Sequence, residues 1–438
     1  MELSLLTIGL IGIAIFLITL LLGMNVGLSM LISGFLGILM VRGMSTALIS
    51  MGFISYRTSA ATFLVVLPLF ILMGMAATHV GVSKDTFQTL HKWVGHLPGG
   101  LAMAAICACT LFGAVCGNVV ATSATLGKVA LPEMRRYKYS DELSAGTIAS
   151  GGNLGALVPP STALIVYGFV TQTSIGALFA AGIVPALLLT IVFMFQIYIQ
   201  CKINPRLAPL APAATWKERL IATKGLIAIV VVFVIAMGGI IAGYFTPVES
   251  GAAGAVAMFL VGGVTRRLSW KGVVKSLESA GHITAMIMLL IIGAMVFSSF
   301  LTVTEITQTF SAVFINSDLN RYIIMLIVLF FYFILGTFMD SWALLIISLP
   351  IFFPIITASG FDPLHFGVLC AITVMIGNVS PPVGVTVFAL RGVAPDISVY
   401  TVFKGCIPFM ITMTLFMVFL IFFPQISVAL PNLMIPYR

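Results

Sequence analysis

Long apolar blocks alternate with short polar ones along this chain, and a membrane-spanning helix needs about 20 mainly apolar residues. Blocks at 3–22, 25–41, 60–78, 176–200, 225–244, 247–264, 282–301 and 401–423 meet that requirement and are predicted to cross. Two stretches, 99–137 and 320–357, are too long for one crossing. Each carries a polar, glycine-containing midpoint, Gly113-Ala-Val-Cys-Gly-Asn118 and Gly336-Thr-Phe-Met-Asp-Ser341, so each is predicted to enter and return as a helical hairpin. Non-helical backbone at such a tip is tolerated only where protein or water covers it. Residues 83–97 place Phe87, Leu90, Val94 and Leu97 at helical spacing, and 303–318 does so with Ile306, Phe310 and Val313. These read as amphipathic arms along the interface, or as plain connecting helices.

Two remaining apolar segments, 141–171 and 363–392, are interrupted, and their punctuation repeats. Leu131-Pro132, Gly155 and Pro159-Pro160 recur 222 positions later as Phe353-Pro354, Gly377 and Pro381-Pro382. The chain therefore reads as an internal duplication. The first repeat is 1–222, with scaffold helices in 1–98, hairpin and broken helix in 99–171 and a helix at 176–200; the second is 223–438, with the same parts in 223–319, 320–392 and 401–423. A Pro-Pro pair inside apolar sequence removes two backbone donors and stops the helix, which lipid penalises unless the freed carbonyls line a cavity or hold an ion. Broken helices in duplicated membrane chains build transporter sites, so the two breaks mark the site.

Composition fixes the class as all-α and polytopic in the membrane. Hydrophobic residues make up 60% and charged residues 8%, with a mean hydropathy of +1.18, against about 25% charged in soluble domains. Charge then orients the helices. With 99–137 opening to the cytoplasm and 320–357 to the outside, the loops carrying Lys84, Lys92, Arg135, Arg136, Lys138, Lys202, Arg206, Lys217, Arg219, Lys224, Arg266, Arg267, Lys271, Lys275, Arg391 and Lys404 face inward. Lys128 lies on a cytoplasmic hairpin arm, and only Arg42, Arg57, Arg321 and Arg438 fall outside. The positive-inside rule supports this arrangement, which inverts one half relative to the other. The net charge of +8 is thus a topology signal, and no nucleic-acid partner is needed to explain it.

Other signals exclude more than they add. The six cysteines lack the paired spacing of a zinc site or a disulfide framework and read as small buried hydrophobes. Met1 to Leu22 reads as a first spanning helix rather than a removed signal. Neither His-Glu-x-x-His, Gly-x-Ser-x-Gly and Gly-x-Gly-Asp nor a P-loop occurs, which argues against a protease, an ATP-driven pump and enzymes in general.

Apart from Asp340, the tips and breaks offer neutral oxygens rather than titrating intramembrane acids or histidines, and such a set suits sodium better than proton coupling. Gly113, Asn118, Ser123, Gly155, Thr337, Asp340, Ser341, Gly377, Asn378 and Ser380 are the candidate sodium ligands, with sodium as the coupling ion. Helix capping is the competing role for the polar members. Asp340 is the one acid at either tip, and its counterpart 222 positions earlier is Asn118. Half-helix N-termini after each Pro-Pro pair present positive dipole ends, which suit an anionic substrate. Asn153, Pro159, Pro160, Ser161, Pro381, Pro382 and Val383 are the candidate substrate contacts. Glu249 reads as first-turn dipole compensation, and His79, His91, His96, His282 and His365 as structural.

Several separated motifs then carry a resemblance. Cys116-Gly-Asn-Val-Val-Ala-Thr-Ser-Ala-Thr-Leu-Gly127, Gly151-Gly-Asn-Leu-Gly-Ala-Leu-Val-Pro-Pro-Ser161 with Tyr167-Gly168, Tyr244-Phe-Thr-Pro-Val-Glu-Ser-Gly-Ala252, Gly336-Thr-Phe-Met-Asp340, and Ser380-Pro-Pro-Val-Gly384 with Gly392-Val-Ala-Pro395 stand in the order found in one family. From about residue 20 to 410 the chain resembles the large membrane subunit of the tripartite ATP-independent periplasmic (TRAP) transporters. The resemblance implies a sodium-driven elevator-type importer in the bacterial inner membrane, working with a small membrane subunit and a periplasmic substrate-binding protein. It also implies small organic anions as substrates: carboxylates, sugar acids or sulfonates. A stand-alone sodium–carboxylate symporter of the wider ion-transporter group is the alternative, and a channel is a more distant one.

Overall fold

The computed structural model describes residues 4–315 and 319–434, without the side chains of Phe310, Ser311, Val313 and Ile315. Arg438 and the end of the 303–318 arm lie outside the described residues, as do the side chains of two of that arm's three apolar positions. Among the described residues every regular element is helical, and nine helical stretches are long and apolar enough to span a membrane.

The chain opens with α1 (Leu5–Leu21), α2 (Val26–Ser59), α3 (Val66–Val80) and the arm α4 (Val82–Val94). The first hairpin is α5 (Gly100–Cys116) and α6 (Val119–Arg136). The first broken helix is α7 (Asp141–Gly152), a 3-10 turn (Asn153–Ala156) and α8 (Thr162–Thr171), and α9 (Ile175–Ile203) follows. A linker containing α10 (Trp216–Thr223) leads to α11 (Ile227–Phe233) and, through a π turn (Val234–Gly238), to α12 (Gly239–Ile241). Then come α13 (Pro247–Val264), α14 (Trp270–Val303) and α15 (Ile306–Ile315). The second hairpin is α16 (Arg321–Phe338) and α17 (Ser341–Ala358), the second broken helix α18 (Pro363–Val379) and α19 (Val385–Arg391), and the chain closes with α20 (Val399–Phe422) and α21 (Gln425–Leu433).

Three helices differ from their expected bounds. The helix expected at 25–41 runs on to Ser59 because the backbone turns at Gly43 (φ 82°, ψ 171°) and helix resumes beyond it; without a Cβ, glycine enters positive φ at little steric cost. The helix expected at 282–301 begins at Trp270, since its polar first turns continue the same helix outside the apolar block. Within 225–244, the π turn frees the Ala236 carbonyl, which accepts a 2.7 Å hydrogen bond from the Ser250 hydroxyl of α13. Glu249 closes a capping box, its carboxylate accepting from the Thr246 N–H at 2.8 Å. All six cysteines are free thiols.

Packing divides the helices into an outer and an inner group. Outside, α2 lies along α14, and α3 packs on α13 and α14. A Cβ on Gly27 would sit 2.8 Å from the Leu289 carbonyl oxygen, so small residues let α2 and α14 touch backbone to backbone. Inside, α7 packs on α5, α6 and α20, while α18 packs on α9, α16 and α20. The hairpins also reach across: α17 lies on α8 and α6 lies on α19, so each hairpin meets the second limb of the other broken helix. That crossing brings both tips and both breaks to one place. The arm α4 joins the groups, contacting α5 and holding α10 through bonds from Thr89 Oγ1 to the Ala222 carbonyl (2.6 Å) and from Trp93 Nε1 to Thr223 Oγ1 (3.1 Å).

Candidate functional site

Each hairpin tip seats a glycine against a glycine of a break. In the first half, a Cβ on Gly113 would lie 3.0 Å from Gly155 Cα; in the second, a Cβ on Gly377 would lie 2.7 Å from the Gly336 carbonyl carbon and oxygen. Any side chain at the tighter positions would hold tip and break apart, which is why glycine stands there. The approach leaves backbone carbonyls and small hydroxyls facing one another in sequence that is otherwise apolar.

The first tip turns at Gly117 (φ 60°), where an added Cβ would meet the Pro160 oxygen at 2.3 Å. The Gly117 carbonyl accepts from both the N–H (3.3 Å) and the hydroxyl (2.9 Å) of Thr162, sewing the tip to the start of α8. Asn118 caps α6, its side-chain oxygen accepting from the Ala121 N–H at 2.9 Å. Ser123, one turn on, is fully buried against Gly152, and its hydroxyl has no hydrogen-bond partner among the described residues. A buried oxygen with no partner is costly unless something outside the chain completes it. Ser161 caps α8 and donates to the Ala156 carbonyl at 2.5 Å.

At the second tip Asp340 caps α17, its carboxylate accepting from the Trp342 N–H at 3.3 Å. Thr337 donates to the Ile334 carbonyl (2.7 Å) and Ser380 to the Ile376 carbonyl (2.6 Å), each within its own helix. These three polar groups therefore have local helix partners and retain oxygen lone pairs. Ser341 and Asn378 meet directly, at 2.9 Å from the Asn378 amide nitrogen to Ser341 Oγ. Asn378 also donates to the side-chain oxygen of Asn153 at 3.0 Å, joining the second break to the first. Asn153 in turn donates to the Ala149 carbonyl (2.9 Å) and to Thr386 Oγ1 (3.0 Å).

The predicted substrate contacts divide by exposure. Pro159, Pro160 and Ser161 are buried, whereas Pro381, Pro382 and Val383 are open, so the second break is the accessible one. Both Pro-Pro bonds are cis. Three residues that sequence reasoning missed help build the site: Thr162, Trp342 and Thr386. Trp342 donates from Nε1 to Thr162 Oγ1 at 3.2 Å, so the threonine that receives the second hairpin also grips the tip of the first. No spacing marks them, since a lone Thr or Trp in apolar sequence carries no pattern.

Basic side chains collect elsewhere, away from both tips and both breaks. A cavity of about 1370 Å³ opens between α6, α4, α11 and α13, lined by Lys84, Lys92, Lys128, Arg136, Lys224 and Arg267 against only two acids, Asp85 and Glu133. Asp85 is already paired with Arg267. At the base of the first hairpin, Arg135 bonds both Asp141 (2.8 Å) and Asp396 (2.6 Å), and the guanidinium holds the Asp396 carboxyl below its usual range. Lys404 pairs with Glu142 at 3.0 Å beside it. Among the described residues no group of three His, Cys, Asp or Glu stands close enough to hold a metal ion.

A family model described as "Tripartite ATP-independent periplasmic transporter, DctM component" matches residues 13–426. The chain belongs to the TRAP large-permease family. It is 35% identical over 378 residues to the C4-dicarboxylate TRAP transporter large permease protein DctM of Pseudomonas aeruginosa, covering 86% of this chain and 88% of that one. It is 33% identical to the sialic acid TRAP transporter large permease protein SiaM of Vibrio cholerae (85% and 87% covered) and 34% identical to the ectoine TRAP transporter large permease protein TeaC of Halomonas elongata (84% and 86%). Among solved structures, this permease superposes on the YdaH transporter of Alcanivorax borkumensis with a TM-score of 0.64 at 13% identity, over 88% of this chain and 90% of that one. The MtrF structure of Neisseria gonorrhoeae gives 0.61 at 15% identity, over 90% and 84%. Both likenesses concern the fold alone.

Proposed function

We propose that this TRAP large permease imports a small organic anion by sodium-coupled elevator transport, in the bacterial inner membrane, together with a small membrane subunit and a periplasmic binding protein. The observation that carries the reading is the paired geometry of the site: at each of two hairpin tips, glycine-on-glycine contact brings neutral oxygens of the tip against a helix break. Neutral oxygens and free carbonyls favour a hard monovalent cation over a titrating proton carrier. The candidate sodium ligands are Gly113, Asn118, Ser123 and Gly155 at the first tip and Thr337, Asp340, Ser341, Gly377, Asn378 and Ser380 at the second. The substrate lies beside the open Pro381-Pro382-Val383 turn, while the candidates Asn153, Pro159, Pro160 and Ser161 are buried in the first break. The named substrates of the relatives, C4-dicarboxylates, sialic acid and ectoine, all carry a carboxylate. The small subunit and binding protein follow from the family name, and the loops rich in lysine and arginine face the cytoplasm.

Uptake into proteoliposomes tests the proposal. Full-rate uptake should need an inward sodium gradient, the small subunit and the cognate binding protein together. Full-rate uptake by this chain alone would replace the tripartite reading with the stand-alone symporter. Uptake that is indifferent to exchanging sodium for choline would remove sodium coupling.

A further inference from the structure

The hydrogen bonds around Asn378 close into a directed circuit. The Asn378 amide donates to Asn153 Oδ1 (3.0 Å), Asn153 donates to Thr386 Oγ1 (3.0 Å), and the Thr386 hydroxyl donates to the Asn378 backbone carbonyl (3.0 Å). Ser341 hangs from the circuit, accepting from Asn378 Nδ2 at 2.9 Å and donating to its Oδ1 at 3.3 Å. Asn153 and Thr386 have no exposed surface, Asn378 has 1% and Ser341 has 4%. One closed circuit thus links the tip of the second hairpin, both limbs of the second broken helix and the first break.

A buried circuit of this kind behaves as a unit. Each bond polarises the next, and opening one leaves a donor and an acceptor unpaired where water is scarce, so the whole ring is favoured or the whole ring loosens. An ion drawing on the Ser341 oxygen would compete with the bond from Asn378 Nδ2, and through Asn378 would bear on its bond to Asn153. Two sites biased by one two-state element share a coupling free energy.

We propose that Thr386 is a positioning residue: it closes the circuit through which occupancy of the second tip is felt at the first break, making sodium binding at the two tips cooperative. This rests on the sodium reading above. Thr386 itself touches neither ion nor substrate in the proposal. Among the described residues its hydroxyl is the one group that both accepts from Asn153 and donates to Asn378.

The test titrates the purified full-length chain with sodium, with choline as the control cation. Readouts are tryptophan fluorescence in a background where Trp93, Trp216 and Trp270 are replaced by phenylalanine, leaving Trp342 at the second tip, and, in parallel, the sodium dependence of the thermal unfolding temperature. Wild type should bind with a Hill coefficient above one. Thr386→Val, which keeps the shape and removes both bonds, should bring the coefficient to one and raise half-saturating sodium about tenfold, and Thr386→Ser should restore both. Simple destabilisation would lower the unfolding temperature without changing the Hill coefficient. If Thr386→Val fails to reach the membrane, Thr386→Cys, whose thiol is a weak donor, should show reduced cooperativity. A wild type that binds sodium without cooperativity, or a Val or Cys variant that keeps it in full, overturns the inference and leaves sodium coupling standing. A wild type that ignores sodium in both readouts removes the sodium reading and the inference with it.

Discussion

Replacing Gly377 with alanine probes the tip-to-break contact more directly than any polar substitution. A Cβ there would lie 2.7 Å from the carbonyl carbon and oxygen of Gly336 and 2.9 Å from its Cα, whereas ordinary contact begins near 3.4 Å. Both partners are backbone, so no rotamer relieves the clash, and tip and break must separate by about 0.7 Å, the difference between 3.4 and 2.7 Å. Overpacking of this kind costs about 1–3 kcal/mol, which lowers the population of the closed tip about 5- to 150-fold. The reverse substitution, Gly336→Ala, meets only a Leu344 methyl at 3.2 Å and Gly377 Cα at 3.5 Å, and a leucine side chain can turn away. Gly377→Ala should therefore raise the sodium needed for half-maximal uptake at least fivefold at normal expression, with Gly336→Ala within about twofold of wild type. Sodium-dependent uptake in proteoliposomes, normalised to membrane-inserted protein, reads the difference. Equal effects of the two alanines, or a silent Gly377→Ala, would refute the contact as the determinant of the site.

Three further tests address separate parts of the argument. Asp340→Asn keeps a capping oxygen for the Trp342 N–H, and Asn and Asp cap about equally well, so stability should hold; an ion role would raise half-maximal sodium several-fold, with Ser380→Ala moving it the same way, and unchanged sodium dependence would leave Asp340 as a cap alone. Trp342→Phe removes the bond to Thr162 but leaves the threonine's grip on Gly117, so the loss should be about 0.5–1.5 kcal/mol, seen as a modest fall in uptake with normal expression, and a total loss of uptake would contradict that division of labour. In a cysteine-depleted background, Ala213→Cys should react with membrane-impermeant thiol reagents only from the cytoplasm and Leu319→Cys only from outside, and the reverse pattern would invert the charge-based topology; Ser317, an equivalent outer position, lies outside the described residues.

Particular residues show how much the chain declares locally. The apolar blocks and their polar midpoints located α5 and α6, α16 and α17, because a hairpin in lipid must stop its helix at the tip and only glycine with capping side chains does that at low cost. The Pro-Pro pairs located the breaks for the same local reason. Helix ends were less legible: Trp270 and Ser59 extend helices past their apolar blocks, since a helix continues into water wherever its polar face is solvated and nothing breaks it. The π turn at Val234–Gly238 depends on Ser250, a hydroxyl from another helix, which no local pattern announces.

The sequence by itself determined that this is an all-helical membrane protein with hairpins, breaks and oxygen-rich tips, because hydropathy, proline chemistry and capping all act within a few residues of the chain. Only the tertiary structure decided which oxygens meet. Asn153 and Thr386 lie 233 residues apart, and Asn153 and Asn378 lie 225 apart; their bonds exist because α6 crosses onto α19 and α17 onto α8. The same crossing buried Pro159 and Pro160 and left Pro381 and Pro382 open, although the two pairs are identical in sequence. Hydrogen bonds reach about 3 Å, so which side chains pair is settled by how whole helices pack, information that is spread over every contact in the fold and concentrated in no motif.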